Sequence, residues 1–262
     1  MISKAQIKEY KSLKLKKYRY LHKKFLIEGI NLCEAALKND AEIDTILISD
    51  NCNTNESITT IQNLAASRAV PVEFISNEII ETLSDSDSPQ GIIAVVFMRK
   101  PGFDDLWKLE NSVLILLDQI RDPGNLGTIL RTASWFGVQA ILLSDNCVDL
   151  YNAKVLRSTA GAIFELNMIL EQVNIQIFIR ESRKRGYKLF VTVPSSSVSY
   201  TQVKYQPPFI LVIGNERRGV DERIKAVATS EFCIPKKGHG NSLNAAVTAG
   251  ILLSEIFRNF KI

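Results

Sequence analysis

Residues 113–133 read VLILLDQIRDPGNLGTILRTA. The stretch opens with an unbroken apolar run over 113–117. A run of that length without polar alternation predicts a strand buried on both faces. Helical spacing of apolar residues takes over across 127–136. Between the two lies a loop rich in polar residues and glycine. A buried strand, a polar loop and a helix make half of a βαβ unit. The stretch therefore predicts an α/β fold, a parallel sheet with helices on both faces. Ligands in such sheets bind beyond the carboxyl ends of the strands.

The pattern continues toward the C-terminus. Strands are expected at 140–143, 188–192, 209–213 and 232–234, with an extended segment at 164–169. Helices are expected at 152–158, 173–185, 220–228 and 243–257. The loop 193–208, with its serines and Pro207-Pro208, is the segment expected to be most flexible. Upstream lies a smaller alternating unit. Ser3 and Gln6 have the spacing of a capping box and predict a helix start. Strands follow at 25–28, 43–48, 71–75 and 92–97, and helices at 31–38, 57–68 and 77–83. Pro101-Gly102, then Asp104 and Asp105, mark a linker. The expected division is a domain over 1–100, a linker over 101–111 and a second domain over 112–262.

Composition narrows the field. At 262 residues, 46% hydrophobic and 23% charged, the chain has the make-up of an ordinary globular protein. No apolar run approaches the roughly 20 residues of a membrane-spanning helix. The N-terminus is too basic and polar for a secretory signal, so a cytoplasmic location is expected. Cys33, Cys52, Cys147 and Cys233 are far apart, and only His22 and His239 could join them. No metal site is expected. The net charge of +4 is unevenly placed. Residues 1–24 carry Lys4, Lys8, Lys11, Lys14, Lys16, Lys17, Arg19, Lys23 and Lys24 against Glu9, with Tyr10, Tyr18 and Tyr20 interleaved. Such a segment can neutralise phosphates and offer rings for bases to stack on. The same pattern also fits a solvated helix face.

Two more polar loops follow buried strands: GNERRGV at 214–220 and PKKGHGNSLNAA at 235–246. None of the three loops fits Gly-x4-Gly-Lys-Ser/Thr or Gly-x-Gly-x-x-Gly, which disfavours a nucleoside triphosphate or an ordinary dinucleotide. Asn125 and Arg131 share a helix, under two turns apart, with Gly127 between them to admit a ligand to the backbone. Taken singly, Asn125 also reads as an N-cap and Arg131 as a surface side chain. Glu216 stands between two glycines, and a plain charged turn needs neither both glycines nor Asn215. Ser242 and Asn244 both precede an alanine-rich helix, although capping needs one of them. His239, between Gly238 and Gly240, has the chemistry of an acid or base.

Together these blocks resemble the SpoU (TrmH-like) branch of the SPOUT methyltransferases. The family's Asp-Pro-x-Asn-x-Gly-x-x-x-Arg-Thr-Ala stands here from Asp122 through Asn125, Gly127 and Arg131 to Ala133. Its Gly-Asn-Glu-x-x-Gly is Gly214-Asn215-Glu216-Arg217-Arg218-Gly219. Its third block is Ile234-Pro235, then Ser242-Leu243-Asn244 and Ala249. Order and spacing match throughout. Lys17 and Arg19 followed by Phe25-Leu26-Ile27-Glu28-Gly29 resemble the start of the small substrate-binding domain of rRNA-directed members. Pro89-Gln90-Gly91-Ile92 resembles its end.

The resemblance implies a homodimer that uses S-adenosyl-L-methionine (AdoMet) to methylate a ribose 2′-oxygen in RNA, rRNA before tRNA. It implies a deep trefoil knot in the C-terminal SPOUT domain, although threaded chains are rare. AdoMet contacts would come from Ile213, Gly214, Asn215, Glu216, Gly219, Ile234, Pro235, Ser242, Leu243 and Asn244, largely through backbone groups. Catalytic roles fall to Arg131, Asn125, Glu216, Ser242 and Asn244. RNA contacts fall to Lys17, Tyr18, Arg19, Lys23 and Lys24, and to Asn125 and Arg131. The resemblance makes Arg131 the position that takes the hydroxyl proton in the family. Because arginine stays protonated, the alternative is a cation that lowers the hydroxyl's pKa and orients it, and the proton role of Arg131 stays open between the two. Glu216 would position Asn125 or Arg131. A tRNA-directed enzyme and a non-catalytic RNA-binding protein of the same fold are the alternatives. An ordinary Rossmann methyltransferase is disfavoured, because no Gly-x-Gly-x-Gly follows the 113–117 strand.

Overall fold

The computed structural model describes residues 2–52 and 56–258. The expected outer domain limits, 1 and 262, lie outside the described residues. In chain order the first elements are α1 (Lys4–Ser12), α2 (Lys16–His22), β1 (Lys24–Glu28), α3 (Ile30–Lys38), β2 (Ile43–Ser49), α4 (Glu56–Ser67), β3 (Val72–Ile75), α5 (Asn77–Leu83) and β4 (Ile92–Phe97). Then come β5 (Val113–Asp118), α6 (Pro123–Trp135), β6 (Ala140–Ser144), α7 (Ala153–Thr159), α8 (Ala162–Glu165), β7 (Met168–Val173) and α9 (Ile175–Lys184). The chain closes with β8 (Lys188–Thr192), β9 (Phe209–Gly214), α10 (Glu222–Lys225), β10 (Ser230–Phe232) and α11 (Ala245–Arg258). These elements form two compact units. One holds the chain up to Arg99 and also Tyr151–Glu165; the other holds Lys100–Leu150 and the chain from Leu166 onward.

In the first unit the Ser3 capping box forms. Ser3 Oγ accepts from Gln6 N at 3.2 Å, and Gln6 Oε1 accepts from Ser3 N at 2.9 Å. The sheet order is β1-β4-β2-β3. β4 runs antiparallel to β1 and β2, and β2 is parallel to β3. α7 and α8 belong here, where the sequence reading put 151–165 in the second domain. Packing explains the change. Phe25 of β1 meets Tyr151 at 4.5 Å and Phe164 at 6.5 Å between ring centroids. Gly161 lies against α3 with φ at +103°, and a Cβ there would come within 2.7 Å of Ala35 Cβ.

In the second unit all strands are parallel, in the order β10-β8-β9-β5-β6-β7. Leu114, Leu116, Leu142 and Val212 join Phe178 of α9 and Ile224 of α10 in one core cluster. The alternate residues, Val113, Ile115, Leu117, Leu211 and Ile213, are buried as well. α11 packs against α6 and β9. Both faces are therefore covered, as continuous apolar strands require.

Several limits differ from the sequence reading. α6 starts at Pro123, because Asp122 caps it and proline at the first helical position loses no bond. The segment 164–169 is not extended throughout: α8 runs to Glu165 before β7 begins. Only Glu222–Lys225 of the expected 220–228 helix is α-helical. Beyond it, Val227 N and Ala228 N bond three residues back, which tightens and ends the helix. β10 precedes the expected 232–234, because Ser230–Phe232 pair in register with Phe190–Thr192. Among the described residues no helix is long and apolar enough to cross a membrane.

Candidate active site

The site follows from strand register. β5 and β9 are neighbours, and Asp118 lies opposite Gly214. The loops after these strands therefore emerge side by side. From β5 the chain passes to β6 on one side, whereas β9 and β8 fill the other, so the crevice opens at this switch in strand order. Side chains stitch the loops together. Asn215 Nδ2 donates to Gln119 O at 3.1 Å, and Asp118 Oδ2 accepts from Asp221 N at 2.8 Å. Asn215 Oδ1 accepts from Arg217 N and Arg218 N, at 2.9 and 3.1 Å. Gly219 N donates to Asn215 O at 2.8 Å and closes the turn. A Cβ on Gly214 would sit 2.5 Å from the Gly219 carbonyl, so only glycine fits at this approach.

All three sequence blocks meet at one set of hydrogen bonds. Asp122 caps α6 by accepting from Asn125 N at 2.8 Å, so Asn125 is not the cap. Its side chain is free to reach across. Asn125 Nδ2 donates to Glu216 Oε1 at 2.5 Å. Asn125 Oδ1 accepts from Asn244 Nδ2 at 2.8 Å. Glu216 Oε1 also accepts from Ala245 N at 3.2 Å. Asn244 Oδ1 accepts from Ala246 N and Val247 N, at 2.9 and 3.3 Å, and so caps α11. An ionised carboxylate only accepts, so Glu216 fixes which way the Asn125 amide faces. Asn125 is thus held to residues 91 and 119 positions further along the chain in one constellation.

Asn125, Glu216 and Asn244 face an open cleft of about 690 Å³, which Arg121, Asp122, Asn215, Arg217 and Arg218 complete. That lies within the roughly 300–1,000 Å³ of small-molecule sites. Between Ile234 and Leu243 no backbone–backbone hydrogen bond forms among the described residues. Free backbone donors and acceptors beside a polar cleft fit AdoMet, whose adenine edge and amino-acid end need such partners. Ile213 is buried at the end of β9, so it could offer a ligand only backbone groups.

Other expected residues lie elsewhere. Arg131 is exposed on α6 and does not line the cleft. Ser242 and Leu243 are exposed, as is Pro235, while Ile234 is half-buried; none of them lines it. His239 is exposed in the same loop. Sequence reading missed Arg121 and Asp122 as cleft residues. It also passed over Arg217 and Arg218, whose position inside the second block was the available signal. Among the described residues no three metal-ligating side chains gather. The cysteines are free thiols, and burial pushes Cys33 up to about 12.

The expected N-terminal RNA contacts divide into two groups. Arg19 is buried; its Nη1 donates to Leu13 O and Lys14 O, both at 2.8 Å. It fastens the turn between α1 and α2 and is withdrawn from RNA. Lys24 Nζ is held by Asp44 at 2.9 Å and Glu9 at 3.4 Å. Burial works against its charge, but these two acids outweigh that and raise its pKa. Lys24 is likewise occupied internally. Lys17 and Lys23 are exposed, and Tyr18 is half-buried. Their ammonium groups lie 5.7 Å from the Tyr18 ring and 5.9 Å from the Tyr20 ring, respectively. Tyr18 in turn stacks on His22 at 6.3 Å.

The fully parallel sheet and the strand-end loops that lock into one polar cleft match the SPOUT methyltransferase fold that the sequence resemblance implies. Residues 112–254 match the SpoU rRNA Methylase family, and residues 4–94 match the MRM3-like substrate binding domain. The chain belongs to the SpoU rRNA methylase family, whose cofactor is AdoMet. It is 31% identical over 248 residues to the 23S rRNA (guanosine(2553)-2'-O)-methyltransferase RlmP of Bacillus subtilis, covering 95% of this chain and 94% of that one. The AdoMet-bound rRNA methyltransferase from Sinorhizobium meliloti superposes with a TM-score of 0.87 at 28% identity, covering 100% of this chain and 97% of that chain. A solved RNA 2'-O ribose methyltransferase gives 0.81 at 28% identity, covering 98% of this chain and 96% of that chain.

Proposed function

We propose that this chain methylates the 2′-hydroxyl of a ribose in rRNA, using AdoMet, as a cytoplasmic homodimer. The observation that carries the reading is the Asn125–Glu216–Asn244 constellation, which unites all three sequence blocks at one cleft. AdoMet, when bound, supplies a methyl carbon on a sulfonium, open to in-line displacement. The protein's task is to align the hydroxyl and exclude water. Asn125 uses one Nδ2 hydrogen on Glu216; the other is available to a ribose or phosphate oxygen. Asn244 and Glu216 keep that amide from rotating. Ser242 and the backbone of 213–216, 219, 234–235 and 242–244 would hold the donor. The trefoil knot implied by the family resemblance is part of this reading.

Arg131 acts from the partner subunit. Thr128, Arg131 and Trp135 are exposed at helical spacing on α6. Trp135 is 86% exposed, Leu243 46% and Val247 51%. Exposed apolar residues of that size fit an interface with a second copy. A guanidinium carried on that face would reach the neighbouring cleft. It would lower the pKa of the hydroxyl there and orient the adjacent phosphate. The choice of rRNA rests on the match of 4–94 to a substrate-binding domain and on the relation to an enzyme named for 23S rRNA.

The test uses the purified full chain, tritiated AdoMet, and unmodified rRNA and tRNA transcripts. Label recovered in a 2′-O-methyl nucleoside from rRNA is the expected result. Absence of AdoMet binding by calorimetry would remove the catalytic reading. Label confined to tRNA would remove the rRNA assignment.

A further inference from the structure

We propose that Arg121, Arg217 and Arg218 form a phosphate clamp on the rim of the cleft, gripping the RNA backbone beside the ribose that reacts. The inference rests on the methyltransferase reading for its location, but the clamp's own chemistry is independent of it. Arg121 leaves the loop after β5, and Arg217 and Arg218 the loop after β9. All three line the same cleft as Asn125, Glu216 and Asn244. All three are exposed, and among the described residues none of their guanidinium groups meets a carboxylate.

Other arginines of the same unit are treated differently. Arg223 is bound by Asp221 through two bonds, at 2.9 and 2.7 Å. Arg185 is bound by Glu181 and lies 4.8 Å over the Trp107 ring. Each acid of the cleft has one oxygen engaged: Glu216 Oε1 serves Asn125 and Ala245, and Asp122 Oδ1 serves the Asn125 backbone N–H. Three cations that meet no carboxylate therefore share one opening with two acids, so positive charge is in excess there. The backbone beneath Arg217 and Arg218 is fixed by Asn215 Oδ1, so their stems start from a defined place. Guanidinium groups match phosphate oxygens through paired N–H donors and are less strongly hydrated than ammonium groups. A polyanion whose sugar enters the cleft must carry its flanking phosphates past this rim.

The competing ligand is the carboxylate of the methyl donor, and the experiment separates the two. The full chain and its Arg121→Ala and Arg217→Ala/Arg218→Ala variants are titrated with an unmodified rRNA transcript across a series of KCl concentrations. Each is also titrated with AdoMet alone. The variants keep the backbone bonds to Asn215, so folding is checked simply by thermal unfolding. The clamp predicts that the slope of log K against log[KCl] becomes shallower by about 0.7 per arginine removed. It also predicts that the AdoMet Kd stays within about twofold. Arg→Lys variants should recover the salt slope but not the full affinity. A weakened AdoMet Kd with an unchanged salt slope would overturn the clamp and assign the arginines to the donor. Unchanged RNA and AdoMet binding would overturn it too. If wild type transfers no methyl group while the arginines still set the salt slope, the clamp stands and the methyltransferase reading falls.

Discussion

Glu216 offers the sharpest test of the constellation. Its Oε1 accepts from Asn125 Nδ2 at 2.5 Å and from Ala245 N at 3.2 Å. Glu216→Gln keeps the shape and an acceptor oxygen but removes the charge. Hydrogen bonds to charged groups contribute about 1.5–3 kcal/mol and neutral ones about 0.5–1.5. The exchange therefore costs about 1 kcal/mol per bond. Glu216 is only half-buried, and solvent screening trims the pair of bonds to a total of about 1–2 kcal/mol. Expressed in the barrier, that is roughly 5- to 30-fold in rate. Glu216→Ala removes both bonds and lets the Asn125 amide rotate, so its loss should exceed that of Glu216→Gln. The assay is initial-rate methyl transfer to an rRNA transcript with both substrates saturating. A double-mutant cycle with Asn125→Ala isolates the pair. The loss should fall on kcat, with a coupling energy of about 1–2 kcal/mol between positions 125 and 216. Additive losses would show that Glu216 does not act through Asn125.

Four further outcomes follow from particular contacts. Arg19→Ala breaks two charged bonds to buried carbonyls and should cost about 2–4 kcal/mol, read as a lower Tm; Lys17→Ala/Lys23→Ala should leave Tm in place and weaken rRNA binding. Equal effects on RNA binding without any Tm difference would return Arg19 to the RNA surface. Bonds from Arg185 and Lys184 hold Glu181 below its usual 4.5, at about 2. A depressed carboxyl stabilises the fold above the unfolded pKa and loses that contribution as pH falls. Wild type should therefore exceed Glu181→Gln in Tm above pH 4.5, and the gap should close toward pH 2; a gap independent of pH would refute the ion pairs. Removal of residues 1–99 strips the partners of Val155, Leu156, Ile163 and Phe164, all buried. The fragment should bind a hydrophobic dye, and a dye-silent, cooperatively folding fragment would refute the packing. Asn244→Asp retains the oxygen that caps α11 but loses the donor to Asn125. Methyl transfer should drop while Tm changes by under a few degrees; a collapse in Tm would mean the cap dominates.

How much could be read from the chain depended on how local the cause was. The strands 92–97 and 188–192 were legible to the residue, because buried apolar runs have unambiguous edges. Asn77–Leu83 was legible for the opposite reason, having polar boundaries on both sides. The start of α6 was misplaced because its cap, Asp122, lies in a motif that also reads as a loop. The membership of 151–165 was not legible at all. Val155, Leu156 and Phe164 are apolar wherever they pack, and nothing local says that their partners include Phe25. Arg19 and Lys24 failed in the same way. Their charge suggested solvent, but Leu13 O and Lys14 O, and Glu9 and Asp44, supply the polar partners that make burial tolerable.

The opposition between a capping residue and a functional residue also dissolves at atomic detail. Asn244 carries an acceptor and two donors on one planar amide. Its oxygen is consumed by the first free N–H groups of α11, which fixes the amide plane. With the oxygen fixed, the nitrogen has little choice of direction, and it meets Asn125 Oδ1. Asn125 shows the same economy: its backbone N–H goes to the Asp122 cap, leaving its side chain to bridge Asn244 and Glu216. Helix starts are where the backbone needs side-chain partners and where side chains are held most firmly. A cleft that must hold a hydroxyl in line with a methyl carbon gains its rigidity from the same bonds that begin α6 and α11. Asn244 thus does more than capping requires, because it secures the helix and the constellation together, while Ser242 stands exposed outside the lining of the cleft.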